Sequence, residues 1–423
     1  MKNIKVITLS LSAFLLCSPM AQATTYITAK AMVDVQTGQL KNQPLLSIDD
    51  GVITHVEYAK QPNLKPGDNH IKLDELTLLP GLMDMHVHLT SDPTVPRSER
   101  IGQSIPRKAI KAAYFAKKTL HAGFTSVRNV GADGYSVIAV RDGINAGDII
   151  GPRIWAAGPS LGVTGGHCDN NRLPPELKYT ATGVADGPWA VRAKVRENIK
   201  YGANAIKFCA TGGVFSKGTK VGIQQYSQDE MNAIVDEAHM RGLTVAAHAH
   251  GTSGIKAAIV AGVDSVEHVS YVDDEAIALA KKHGTWFSMD IYNTEYTLTY
   301  GEQNGVAEEN LAKERLVSKR QRDSFSRAVK AGVNMVFGTD AAIYPHGDNA
   351  KQFSRMVKLG MTELQAIQSA TINSAKLLKV EQSLGQIKPN FAADIIAVKG
   401  NPLDDITYLE HIEFIMKGGE HIK

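Results

Sequence analysis

Five residues of metal-ligand type and one lysine carry most of the chemistry this chain can do. His86 and His88 stand two apart in Met83-Asp84-Met85-His86-Val87-His88. His248 opens a second pair with His250, His268 follows Glu267, and Asp340 ends Gly338-Thr339-Asp340. Neutral imidazoles together with a carboxylate suit a divalent cation, zinc above all. Side chains two apart on a strand point to the same side, so each His-x-His pair can aim both rings at one target. Lys207, in Ala205-Ile206-Lys207-Phe208, reads either as an amine buried beside the metals or as a lysine paired with Asp340. Each signal alone is weak, because a lone His-x-His also occurs on surfaces and in satisfied cores. All of them at strand ends is a rarer coincidence.

The elements that must bring them together alternate in type. Eight short apolar runs, at 83–89, 124–130, 153–159, 205–211, 244–250, 265–270, 286–291 and 334–340, read as strands. Helical periodicity fills most of the gaps, as at 227–241 and 273–283. Gly123, Gly242, Gly262 and Gly332 stand where helices should end. Repeated strand-then-helix units predict a parallel (β/α)8 TIM barrel over residues 81–384, with the six residues at the strand ends where such barrels build their sites. The two flanks differ from it. Residues 24–80 and 385–423 hold short alternating runs and tight turns, which predicts one small β domain assembled from both termini.

Residues 1–23 read as an export signal: Lys2 and Lys5, an apolar centre from Val6 to Cys17, then Ala21-Gln22-Ala23. The expectation is a periplasmic or secreted protein cut after about Ala23, with no membrane attachment once that segment is gone. Cys168 and Cys209 are then the cysteines that remain. One bridge between them is conceivable, but two cysteines make no disulfide framework, and we expect two free thiols. With 46 Lys plus Arg against 43 Asp plus Glu, the charge is too balanced for a nucleic-acid binder. A 43% apolar share excludes wholesale disorder.

The motifs as they stand resemble the amidohydrolase superfamily. The matching text is Pro80-Gly81-Leu82-Met83-Asp84-Met85-His86-Val87-His88, Ile206-Lys207, Ala247-His248-Ala249-His250-Gly251, Glu267-His268 and Gly338-Thr339-Asp340. The resemblance covers nearly the whole chain after residue 23 and implies that the terminal β domain is a small β-sandwich. It also implies two divalent metal ions, most naturally Zn2+. His86, His88 and Asp340 would hold one and His248 and His268 the other, with Lys207 bridging them as a CO2-derived carbamate. Such a bridge makes physical sense: two close dications need an anion between them, and a buried lysine loses its proton readily. The family role for Asp340 is to move the proton between water and the leaving amine.

Softer motifs narrow the substrate. Thr90 occupies the place where dihydroorotase-like ring openers carry an arginine, and the lysine on the fourth strand argues against single-metal deaminases. Gly165-Gly166-His167, Ala210-Thr211-Gly212-Gly213-Val214 and Tyr226-Ser227 look like the metal-dependent dipeptidase and carboxypeptidase group. That likeness implies a dipeptide or N-acyl amino acid as substrate, and a homo-oligomer. It suggests Tyr226 as a donor to the developing oxyanion and His250 near the substrate. Tyr226 reads equally as the neighbour of the Ser227–Glu230 capping box. His167, on a Gly-rich loop, is a candidate substrate contact, and Arg128 a candidate partner for a carboxylate. Two other readings keep the metal site: hydrolysis of another amide, cyclic amide or lactone, and a non-catalytic metal-binding barrel.

Overall fold

The structure is a computed structural model that describes residues 23–95 and 97–423. Five strands open it: β1 Thr25–Asp34, β2 Gln39–Asn42, β3 Pro44–Asp49, β4 Val52–Tyr58 and β5 Asn69–Pro80. β6 Leu82–Val87, β7 Phe124–Asn129, β8 Arg153–Ala156 and β9 Ile206–Cys209 follow, then β10 Val245–Ala249, β11 Ser265–His268, β12 Trp286–Ser288 and β13 Met335–Val336. β14 Ile395–Lys399, β15 Ile412–Lys417 and β16 Glu420–His421 end the chain. The expected export signal falls almost wholly on residues 1–22, which lie outside the described residues.

Each apolar run of the middle became one strand, shorter than the run itself. β6, β7 and β8 pair in parallel, as do β9 to β13 in sequence order. Every residue of β6, β7, β9, β10 and β11 is buried. This is why these strands read as continuous apolar runs rather than alternating ones. Parallel bridges Leu161–Phe208 and Val87–Ala341 connect the two groups of strands at both edges. Between the strands, the helix Gln228–His239 starts at a Ser227–Glu230 capping box, and Gly262 and Gly332 end helices in the left-handed conformation.

Both termini contribute to one eight-stranded sheet, ordered β16-β15-β14-β5-β1-β3-β4, with β2 on β1. Ile27, Leu46, Leu78, Ile395 and Phe414 pack a core of its own. β5 pairs with β14 through Pro80 and Ile395, and the chain passes directly into β6. The terminal sheet therefore fixes the start of the strand that carries His86. No helix among the described residues is long and apolar enough to cross a membrane.

The cysteines correct the sequence reading. Cys168 and Cys209 are joined in a disulfide across 41 positions, with Cα atoms 6.0 Å apart. The cause is a return of the chain after β8. Leu161 donates its N–H to Lys207 O at 2.8 Å and accepts from Cys209 N at 2.9 Å, so the following loop lies along β9. Nothing in residue counts shows that fold-back. Unfolded without reductant, the chain from residue 24 should titrate no thiol, and two after reduction. Cys168→Ser should lower unfolding stability by about 3–4 kcal/mol in urea, the loop-closure value for a ring of this size.

Candidate metal centre

The carboxyl ends of β6, β9, β10 and β11 and the turn after β13 converge on one cavity of about 250 Å3. His86, His88, Lys207, His248, His250, His268 and Asp340 all line it. This is where ligand sites form in parallel sheets, because the strands stop there and the loops diverge. Asp340 Oδ1 stands 3.5 Å from His86 Nε2 and 3.4 Å from His88 Nε2. Ligand atoms of these three lie within 4.8 Å of one another, as do those of His248, His250 and His268. The clusters touch: the His268 ring centroid is 5.1 Å from that of His86 and 4.5 Å from that of His248.

The donor set fits divalent metal. Glu267 holds His86 Nδ1 at 2.9 Å, the Gly131 carbonyl holds His88 Nδ1 at 3.0 Å, and Asp290 holds His268 Nδ1 at 2.9 Å. An acceptor on Nδ1 keeps the proton there and leaves the Nε2 lone pair free, the usual arrangement of a metal-bound histidine. His248 Nε2 is buried with no hydrogen-bond partner, a cost that a cation would remove. Burial holds His86, His248 and His250 well below the usual imidazole range and brings His88 down to about 4. These rings are neutral at pH 7, the form that binds metal. His268 differs: burial pulls it down, but the Asp290 charge and hydrogen bond outweigh that and raise it. His268 (φ 70°) and Asp340 (φ 54°) also hold left-handed backbone that non-glycine residues seldom adopt. Gly131 is needed where it stands, since a Cβ there would meet Ser160 Oγ at 2.3 Å and the His88 ring at 3.1 Å.

Lys207 is buried among these groups, and no salt bridge joins it to Asp340 or to another carboxylate among the described residues. Burial brings its amine down to about 8, against the attraction of Glu267 and with help from the Arg128 charge. The paired-lysine alternative therefore loses its partner. A neutral amine remains accessible near physiological pH.

Two expected site residues lie elsewhere. Arg128 is sealed inside, where Nε donates to Met85 O and Nη2 to Glu267 Oε1, both at 2.8 Å. Its charge is consumed in holding the carboxylate that holds His86, so it cannot reach a substrate. Tyr226 is 1% exposed and its hydroxyl donates to Ala185 O at 3.0 Å, away from the cavity lining. It packs beside the helix cap instead of offering a proton to an oxyanion. His250 does reach the site, stacked 4.7 Å from His268 with Nδ1 2.7 Å from Ser270 Oγ. His167 also lines the cavity, stacked 4.2 Å from His248, with Nδ1 held 2.8 Å from Ser216 Oγ.

The sequence reading missed Glu267 and Asp290 as partners of the ligands, although Glu267 directly precedes His268 and Asp290 stands inside the apolar run 286–291. It also missed Glu314 and Gln321, on the helix Glu308–Ala331, and Arg100, all of which line the cavity. Burial and the Asp290 charge push the Glu314 carboxyl up to about 8.

Residues 77–422 match the model of the amidohydrolase family, and the chain belongs to that family. It is a metal-binding hydrolase of amide or peptide bonds. Among solved structures, it is similar to a Xaa-Pro dipeptidase with methionine bound in its active site, at 39% identity and a TM-score of 0.90. That match covers 94% of this chain and 99% of the other. A prolidase complexed with N-methylphosphonate-L-proline is 31% identical, with a TM-score of 0.87 over 95% of this chain and 100% of that one. The ochratoxinase of Aspergillus niger is 34% identical over 369 residues, which is 82% of this chain and 75% of the relative.

The acceptors on Nδ1 generate a test. Asp290→Asn keeps the shape but removes the charge facing His268. Metal affinity should fall about 10–100-fold, measured by competition with a chromophoric chelator, while far-UV circular dichroism stays unchanged. Affinity equal to the parent protein would mean that His268 is no ligand.

Proposed function

We propose that this protein hydrolyses the amide bond of dipeptides, Xaa-Pro or Xaa-Xaa, or of N-acyl amino acids. Two divalent ions, Zn2+ by donor type, would be held by His86, His88 and Asp340 on one side and His248 and His268 on the other. Lys207, as its carbamate, would lie between them. The observation that carries this reading is the meeting of two histidine clusters around a buried, unpaired lysine in one cavity. Similarity to a Xaa-Pro dipeptidase and a prolidase supports the peptide bond as target. We also read the eight strands β6 to β13 as a closed (β/α)8 barrel. The bridges at Leu161–Phe208 and Val87–Ala341 support closure.

When bound, the cations would polarise the scissile carbonyl and lower the pKa of water. The chain's own residues then divide the remaining tasks. Asp340 Oδ2 accepts from Asn293 Nδ2 at 3.1 Å, which turns Oδ1 toward His86 and His88. From there Asp340 takes a proton from the attacking water and returns it to the leaving amine. His167, fixed by Ser216, bounds the space where substrate lies against His248. Neutral Lys207 attacks CO2 through its nitrogen, losing one proton to give the carbamate anion. We further propose an extracytoplasmic location after removal of residues 1–23, which the Cys168–Cys209 disulfide supports. The physiological assembly is proposed to be a homo-oligomer.

Asp340→Asn should retain the fold and lower kcat on Ala-Pro by at least about 100-fold. A panel of dipeptides, N-acyl amino acids and lactones identifies the bond; turnover of lactones alone would overturn the peptide assignment. Carbamate formation has its own signature. At fixed dissolved CO2, metal-free protein should gain a 13C carbamate resonance whose intensity rises with pH through about 8, because only the neutral amine reacts. Lys207→Ala should lack that resonance and all turnover.

A further inference from the structure

One wall of the cavity carries polar atoms for which neither the metals nor the proton transfer has a use. The helix Glu308–Ala331 presents Glu314, Val317 and Gln321 to it, a spacing of three and seven that places them on one face. Glu314 and Gln321 are 2% and 1% exposed. Glu314 Oε1 and Gln321 Oε1 are both buried with no hydrogen-bond partner. The orientation of the Gln321 amide is settled by its other end. Nε2 lies 2.9 Å from Asp290 Oδ1 and 3.4 Å from His268 O, both acceptors, so Oε1 must point the other way. Among the described residues no salt bridge reaches Glu314; of the cationic groups that act on it, His268 is held by Asp290 through Nδ1 and Arg322 donates Nη1 to Ser318 O at 3.2 Å.

Two orphaned acceptors on one buried face describe a receptor for a donor that arrives from outside. Leaving both unsatisfied costs stability, and a donor entering the cavity would remove that cost. A donor with several hydrogens and a positive charge satisfies both at once, and its charge offsets the cost of ionising the Glu314 carboxyl, which burial holds up in its absence. The cavity also holds the reverse: Arg100 lines it, with Nε buried and unpartnered. A cavity with an unused acceptor pair, an unused guanidinium donor and an amide-cleaving centre is matched by a zwitterion with an amide in its middle.

Resting on the amide-hydrolase reading above, we propose that Glu314 and Gln321 bind the free α-ammonium of the substrate's N-terminal residue, so that the enzyme selects unblocked dipeptides over N-acyl amino acids. The competing source of the same chemistry is a lysine side chain on the substrate.

The test compares substrates that differ only in that group. For the metal-loaded enzyme, kcat/KM for Ala-Pro should exceed that for propionyl-proline, its des-amino counterpart, by at least about tenfold. Glu314→Gln should collapse the ratio toward one, chiefly through KM, with metal content and Tm unchanged. Should that variant fail to fold, Glu314→Asp, which retains but retracts the carboxyl, should lower the ratio by a smaller factor. Equal rates for the two substrates in the parent enzyme would overturn the proposal. So would a preference for 6-aminohexanoyl-proline over hexanoyl-proline as large as that for Lys-Pro, which would move the site to a side-chain amine. A readout without turnover separates this from failure of the peptidase reading. By calorimetry, L-alaninamide should bind the metal-loaded protein at least about tenfold more tightly than propionamide, and Glu314→Gln should erase the difference. Equal binding sinks the receptor even if dipeptides are cleaved; discrimination without any cleavage sinks the peptidase reading and leaves the receptor standing.

Discussion

The centre depends on one constraint: a buried imidazole can offer a lone pair inward only if something takes its other hydrogen. Here the protein meets that demand ring by ring. Glu267 takes the hydrogen of His86, the Gly131 carbonyl that of His88, and Asp290 that of His268. Each acceptor must itself be satisfied. Glu267 is tied to Arg128 and to Ser265, and Asp290 accepts from Asn293 and Gln321. The result is a shell of buried charge that would be expensive in an ordinary core. It is maintained because each carboxylate of the shell is held by directional donors, Glu267 by Arg128 and Ser265 and Asp290 by Asn293 and Gln321.

This explains why Arg128 looked like a substrate residue and is not. A buried carboxylate at 0% exposure beside a neutral ring needs a cation, and a guanidinium satisfies it with directional donors. The arginine thus acts on His86 through Glu267. The same logic reaches the backbone. His268 and Asp340 hold left-handed conformations in which Asp340 N donates to His86 O at 2.8 Å, locking the last ligand to the first strand. That strain is affordable where hydrogen bonds from two strands over-determine the position.

How much of this was legible in the sequence follows from which forces act locally. The strands were, since burial on both faces leaves uninterrupted apolar runs, and seven parallel segments from Phe124 to Val336 lie inside or against the runs that announced them. The six chemical residues were also visible, because ligand types at strand ends violate the apolar pattern around them. Pairings across the fold were not. Cys168 meets Cys209 only because the chain after β8 turns back along β9, and Tyr226 is capped by Ala185, 41 positions away. Asp290 and Glu267 stood in plain text, yet an acid beside a strand end has many uses, and only the geometry selects one.

The substrate side was hidden for a different reason. Glu314, Val317 and Gln321 sit in the 24-residue helix Glu308–Ala331, whose sequence is crowded with charge, as on any solvated surface. Helical period marks one face, but a glutamate on that face reads as an ordinary surface acid until the fold buries it against the cavity. The metal ligands are held by strand ends, where position is rigid and the chemistry common to a family resides. Recognition is left to helices and loops that arrive from between strands, and these can change without disturbing the ligands. A carboxyl pushed up by burial and by the Asp290 charge is the physical trace of that division. It belongs to neither the core nor the metal set, and the proposed ammonium would give its burial a use.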